Sequence, residues 1–446
     1  MSCGKGNGTK AGFESKNKLR FYNKENFLRI EQLKNVDADL LHAVLVVGHV
    51  LPFRVNQYVL DELIDWSNIP NDPMFQLTFP QKGMLSSEHF SQVSDLLSSH
   101  ADQESLQQTI NSIRKQLNPH PSGQKELNVP VHNGKLLSGV QHKYRETILF
   151  FPSQGQTCHS YCTFCFRWAQ FIGDKDLRFA SSNVNDLTNY VKSHTELTDV
   201  LFTGGDPMIM KTRILAEYLN ALLEPGAEHI QNIRIGTKAL TYWPQRFVTD
   251  EDADELLRLF EKLVEAGKHV ALMAHYNHWR ELDTDIARLA IRRLQRAGVI
   301  IRSQAPLLKH INNDPSVWAK LWESQVRLGI IPYYMFVERD TGPKNYFEVS
   351  LENAWEIYRS AISQVSGLGR TARGPCMSAA PGKVMIDGIT EINGKKVFVL
   401  KFFQARNPQW IGRSFFAEYS PEVTWFEQLK PAFSHDEIFF QVQGKG

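Results

Sequence analysis

The sequence has no surplus charge of either sign: 50 Lys and Arg face 48 Asp and Glu in 446 residues, a formal net charge of +2. That balance gives no basic field to hold nucleic acid or an anionic membrane surface, so the expected partner is a small molecule. Long apolar runs are also missing. The longest, Leu40 to Phe53, covers roughly 14 residues and carries His42 and His49, short of the ~20 that cross a bilayer, and it reads as a buried helix. The opening MSCGKGNGTKAGFESKNK is polar and Gly-rich and lacks the apolar core of a secretion signal, so residues 1–25 are expected to be a disordered tail. Cysteine is scarce, with only five in the chain. An odd number, mostly clustered, does not suit a secreted disulfide framework and points to the reducing cytoplasm.

What is present is a core large enough for an enzyme, with 42% hydrophobic residues. Residues 26–140 read as a helical N-terminal region, broken by the turn NIPNDP and ending in the irregular arm LNPHPSGQKELNVPVHNGK. Over 141–383 the texture becomes α/β. Short β-rich runs at Ile148–Phe151, Val200–Thr203 and Ile233–Gly236 are followed by three helix–Gly–strand units. In the first, Leu256, Leu259, Phe260, Leu263 and Val264 share a helix face, Gly267 stops the helix, and Val270–Ala274 is the strand. Gly298 and Gly329 close the next two units at equal intervals. Units of this kind give parallel strands and right-handed crossovers, so the predicted fold is an α/β partial barrel with its chemistry at strand C-termini. Residues 384–446 read as a small β-rich appendage around an Asn393-Gly394 hairpin turn.

Three of the cysteines lie in CHSYCTFCFRW, with Cys158, Cys162 and Cys165 spaced C-x3-C-x2-C. Structural zinc takes four protein ligands, and the candidates for the fourth are Cys376, Cys3 or His159. An iron–sulfur cube held by three thiolates leaves one iron without a protein ligand, open to a small molecule. The spacing resembles the signature of the radical S-adenosylmethionine (SAM) superfamily, where SAM chelates that iron on a 4Fe–4S cluster. Downstream, VLFTGGDP ends in Gly204, Gly205 and Asp206, similar to the superfamily's Gly-Gly-Glu stretch, whose backbone and acid meet the SAM amine.

Further stretches resemble lysine 2,3-aminomutase and its relatives: YVLDELIDWSNIPNDP, HKYRETILFF, RIGTKALTYWPQRF, AHYNHWRE, RSQAPLLKHINND, GIIPYYMF and APGK, in family order from Phe53 to Lys383. The resemblance implies an isomerase that moves an amino group between adjacent carbons of a free α-amino acid. Its cofactors would be the cluster, SAM and pyridoxal 5′-phosphate (PLP), and an electron donor such as flavodoxin or ferredoxin would reduce the cluster. A homo-oligomer is also implied, although the family's C-terminal zinc cysteines are absent. Lys383 aligns with the lysine that anchors PLP and Tyr144 with the tyrosine beside its ring, while Lys143 and Thr147 stand at two basic positions of the family. Arg167 matches the arginine that binds the substrate α-carboxylate, and Gln304 and His275 match polar residues around the adenosyl group and PLP. The lysine enzyme holds its substrate's side-chain amine with two aspartates. Here the first falls at Arg339 or beside it at Asp340, and the second at Ala379, which favours an acidic or neutral polar side chain over lysine. Two alternatives stay open: a radical SAM enzyme of another type without PLP, and a zinc-stapled binding protein.

Overall fold

The computed structural model describes residues 19–99, 101–118, 128–173 and 178–433. Most of the expected tail, Cys3 included, lies outside them. Its last residues do not: Phe21–Asn23 pairs antiparallel with Arg54–Asn56, fastening the chain start beside the segment that reaches the cysteine loop.

The N-terminal region carries α1 (Ala38–Val50), α2 (Ser87–Ser98) and α3 (Gln103–Leu117). Each begins on an acid or hydroxyl cap: Asp37 accepts from the Asp39 amide, Ser86 from that of His89 and Asp102 from that of Ser105. Among the described residues no helix is long and apolar enough to cross a membrane.

One mixed sheet organises the rest. In chain order its strands are β1 (Val140–Tyr144), β2 (Thr147–Phe150), β3 (Asp199–Phe202), β4 (Asn232–Thr237), β5 (His269–His275), β6 (Ile300–Leu307), β7 (Ile331–Val337), β8 (Arg373–Ser378), β9 (Gly382–Ile392), β10 (Lys395–Ala405) and β11 (Ser414–Glu418). Every strand pairs with its neighbour in sequence. From β2 to β8 the pairing is parallel, and helices α4 (Val184–Ser193), α5 (Thr212–Asn220), α6 (Ala253–Glu265), α7 (Asp285–Arg296), α8 (Pro315–Arg327) and α9 (Leu351–Ser363) fill the successive crossovers. Register places Ile148, Val200, Ile233 and Val270 side by side, all buried, so one layer of β-branched residues meets the helices. Helices α6, α7 and α8 end where expected, because Gly267, Gly298 and Gly329 take φ of +82°, +77° and +71°, which closes a helix without the strain a side chain would add.

The C-terminal hairpin forms about its expected turn, with Asn393 and Gly394 at φ of +50° and +76°. Its placement differs from a separate appendage. Strand β9 pairs antiparallel with β8, Cys376 opposite Met385, so β9, β10 and β11 extend the main sheet, and the expected boundary after residue 383 falls inside β9. Val384, Ile386, Phe398, Leu400 and Phe402 build a second core there with Val337, Leu351 and Met377. That joint carries the hairpin to the site.

Candidate active site

The cysteine loop leaves β2 and is held from two sides. From the N-terminal region, Arg54 donates to Thr157 Oγ1 at 2.7 Å and to the Cys158 carbonyl at 3.3 Å, and Asn56 Nδ2 donates to the His159 carbonyl at 3.1 Å. From the sheet, the Asp206 amide donates to the Gly155 and Thr157 carbonyls at 3.0 and 2.8 Å. This contact explains the two glycines after β3. A Cβ on Gly204 would stand 2.1 Å from Gln156 Nε2, and one on Gly205 2.4 Å from the Thr157 nitrogen. The Gly-Gly turn is therefore packed directly on the residues preceding Cys158.

Cys158, Cys162 and Cys165 are free thiols, and Cys162 Sγ lies 3.5 Å from the Tyr242 hydroxyl. Burial pushes all three thiols up, Cys165 to about 12, and for Cys158 the charges of Asp206 and the other two cysteines add to the rise. Three half-buried thiols that resist ionisation suit ligation by an electropositive centre, which pays for the thiolate charge. Among the described residues no group of three or more His, Cys, Asp or Glu side chains could hold a metal ion; an iron–sulfur cube separates its thiolates more widely than one ion does. The candidates for a fourth zinc ligand have other neighbours. Cys376 is buried on β8, its strongest charged neighbours being Lys383, Lys143 and Arg373. The His159 ring stacks on Trp243, and burial holds it neutral, down to about 3. Three thiols without a fourth protein donor among the described residues are the donor set that a 4Fe–4S cluster with one open iron would need.

The Asp206 oxygens accept from Thr237 Oγ1 at 2.7 and 2.9 Å and from the Met208 and Lys238 amides at 2.9 Å. Burial still pushes this carboxyl up to about 6. Gly204, Gly205 and Asp206 are brought to the cysteine loop together, with the acid serving as a brace between the ends of β3 and β4. His275 and Gln304 also meet, Nε2 to Nε2 at 3.1 Å. Burial, aided by the Lys238 charge, lowers His275 to about 3, so the pair is neutral. Lys238 itself is buried against Glu281 at 2.6 Å.

The second group gathers around Lys383 on β9. Its Nζ donates to Gln404 Oε1 on β10 at 2.6 Å and lies 5.2 and 5.1 Å from the ring centres of Tyr144 and Tyr334. Burial lowers this amine to about 8. The Tyr144 hydroxyl is buried without a hydrogen-bond partner. A half-buried, readily neutralised amine near two aromatic rings and a buried, unsatisfied hydroxyl fits PLP, an aromatic aldehyde rich in polar groups. Arg167 lies beside the cysteine loop. Its guanidinium lies 4.3 Å from the Phe151 ring centre, the charges of Cys165 and Cys158 act on it, burial lowers it to about 10, and its Nε has no acceptor. Phe166, next to it, stands 5.8 Å under the Arg339 guanidinium, and Trp168 Nε1 donates to Thr341 at 3.2 Å. Arg339 in turn faces Asp340 at 3.8 Å, and Ala379 is buried.

Sequence reasoning missed Arg54, Asn56, Thr157 and Gln404. Only contacts distant in sequence reveal them, and no local motif marks any of the four.

No protein-family model matches the chain. It is 32% identical over 376 residues to a putative L-lysine 2,3-aminomutase of Aquifex aeolicus, covering 84% of this chain and 87% of that protein. Over 235 residues it is 31% identical to L-lysine 2,3-aminomutase of Haemophilus influenzae, covering 53% and 65% of the two chains. Over 211 residues it is 31% identical to glutamate 2,3-aminomutase of Clostridioides difficile, covering 47% of each. With similarity over nearly the full length of the first of these, the chain belongs to the lysine 2,3-aminomutase family, radical SAM isomerases that use a 4Fe–4S cluster, SAM and PLP.

Proposed function

We propose that this chain is a radical SAM, PLP-dependent 2,3-aminomutase acting on a free α-amino acid with an acidic or neutral polar side chain, not lysine. The observation that carries the substrate choice is Arg339, which with its ion-pair partner Asp340 at 3.8 Å stands at or beside the position of the lysine enzyme's first aspartate, and whose Nε is buried without a hydrogen-bond acceptor. At the second aspartate position Ala379 offers no charge at all. A lysine side chain would bring an ammonium toward a guanidinium, whereas a carboxylate would give the Arg167 and Arg339 Nε groups the hydrogen-bond acceptors they lack.

When bound, the cluster with SAM supplies a hydrogen-abstracting radical and PLP a π-system for the migrating nitrogen. The chain's own residues do the positioning. Cys158, Cys162 and Cys165 would hold the cluster, the Gly204-Gly205 backbone would face SAM, and Lys383 would anchor PLP against Tyr144. Arg167 would grip the α-carboxylate through its planar fork, with its guanidinium packed on the Phe151 ring. We further propose that β2 to β8 curve into a partial barrel. Their unbroken parallel order and the placement of Gly204, Lys238, His275 and Arg339 at strand ends support this reading. Reduction of the cluster would come from a flavodoxin or ferredoxin.

The test is anaerobic reconstitution with SAM, PLP and reductant, followed by a panel of α-amino acids scored for β-amino products. Glutamate-like or neutral polar substrates are expected to exceed lysine by about a hundredfold or more in kcat/KM. Conversion of lysine alone would overturn the substrate assignment.

A further inference from the structure

The family positions for basic residues near the cofactor are altered here: Lys143 stands at one and the uncharged Thr147 at another. Yet cations converge on this pocket from a part of the chain that the sequence placed outside it. Strand β10 runs antiparallel to β9 with Gly382 opposite Ala405 and Lys383 opposite Gln404. The approach is close: a Cβ on Gly382 would stand 2.2 Å from the Gln404 carbonyl. The next residue after the strand is Arg406.

Arg406 and Lys143 hold the same short loop. The Arg406 amide donates to the Pro381 carbonyl at 3.0 Å, its Nε to that of Ala380 at 2.9 Å, and its Nη2 to Asn128. Lys143 Nζ donates to the Ala379 carbonyl at 2.5 Å. The two cationic side chains thus hold the Ala379 and Ala380 carbonyls, and the Arg406 amide that of Pro381, in the loop that leads through Gly382 to Lys383. Lys143 also lies 5.3 Å from the centre of the Tyr144 ring, so the two lysine ammonium groups lie at nearly the same distance from one buried tyrosine whose hydroxyl is unpartnered. Beyond its own desolvation, the strongest influence on Lys143 is the repulsive charge of Arg406, followed by those of Arg339 and Lys383. Like charges brought together in this way are unfavourable until an anion enters between them.

We propose that Lys143 and Arg406 form the seat for the PLP phosphate, with Arg406 of the C-terminal hairpin supplying a cation in place of the one missing at Thr147. The proposal rests on the assignment of PLP to Lys383 and deepens it. It also gives the hairpin a role: closing the cofactor pocket from the edge of the sheet.

A phosphate seat differs from a loop clamp in what it discriminates. The full-length protein, reconstituted with its cluster, is titrated with PLP and separately with pyridoxal, which lacks the phosphate, and binding is read from the change in visible absorbance. Arg406→Ala is expected to weaken PLP by about tenfold to a hundredfold and to leave pyridoxal within about twofold. Arg406→Lys should recover part of the PLP affinity, and Lys143→Met should repeat the selective loss. Cluster absorbance and circular dichroism report whether each variant has folded. Equal losses for both ligands in folded Arg406→Ala and Lys143→Met would mean that these residues only hold the loop, and unchanged PLP affinity would remove them from the site. Either result overturns the seat while PLP binding by the wild type keeps the cofactor assignment intact. A wild type that binds neither ligand through Lys383 overturns both.

Discussion

Substituting Gly205 by alanine tests the packing on which the cluster site is built. The added Cβ would stand 2.4 Å from the Thr157 nitrogen and 2.5 Å from its oxygen, where ordinary contacts begin at 3.4 Å. Both neighbours are backbone, so no rotamer change relieves the clash. The two loops must separate by about 1 Å. That movement would break the Asp206 amide bonds to the Gly155 and Thr157 carbonyls, each worth about 1 kcal/mol, on top of an overpacking penalty of about 1–3 kcal/mol. The expected loss is about 3–5 kcal/mol, localised to the residues that precede Cys158. Gly267→Ala is the control. Its Cβ would meet nothing within 4 Å and it carries only the strain of φ +82°, about 1–2 kcal/mol. Iron and sulfide per chain after anaerobic reconstitution, read beside the thermal midpoint, separate the two effects. Gly205→Ala should lose most of its cluster, whereas Gly267→Ala should keep it at a lowered midpoint. Full iron loading and an unchanged midpoint in Gly205→Ala would refute the claim that this turn is packed on the cysteine loop.

Replacing Arg339 by Ala should lower kcat/KM for an acidic substrate by about tenfold to a hundredfold, with a smaller effect on a neutral one, in steady-state assays of the reconstituted enzyme. Because burial lowers Lys383 to about 8, its neutral amine predominates above that pH; the rate of PLP capture, followed by absorbance, should rise with pH and level off above about 8, and Lys383→Ala should abolish the absorbance change. Glu281 is fully buried and Lys238 nearly so, so Glu281→Gln leaves an unpaired buried ammonium and should cost about 3 kcal/mol or more. In urea unfolding, the Lys238→Met, Glu281→Gln double variant should lose less than the two single losses added together.

Much of this architecture was legible because its signals are local. The apolar face of α6 and the glycine that ends it lie within a few turns of one another, and Asn393-Gly394 sets a hairpin from two residues. The cysteine spacing and the glycines after β3 are equally short-range. What escaped depends on contacts far apart in the chain. Nothing in the hairpin sequence states that β9 will pair with β8, and without that pairing Gln404 and Arg406 have no relation to Lys383. Arg54 reaches Thr157 and Cys158 across the molecule, and Phe21–Asn23 reads as polar tail until Arg54–Asn56 offers it an edge. Asp206 illustrates a different limit. The motif located the residue, but only the fold reveals that Thr237 and the Lys238 amide engage its oxygens.

We propose that Cys158, Cys162 and Cys165 bind an iron–sulfur cube with one iron left open for SAM. Metal and sulfide analysis of anaerobically purified protein, with and without Cys376→Ser, tests it most directly. About four irons and four sulfides per chain, unchanged by Cys376→Ser and lost when any of the three loop cysteines is replaced, is the expected result. One zinc per chain without sulfide, lost on replacing Cys376, would contradict it.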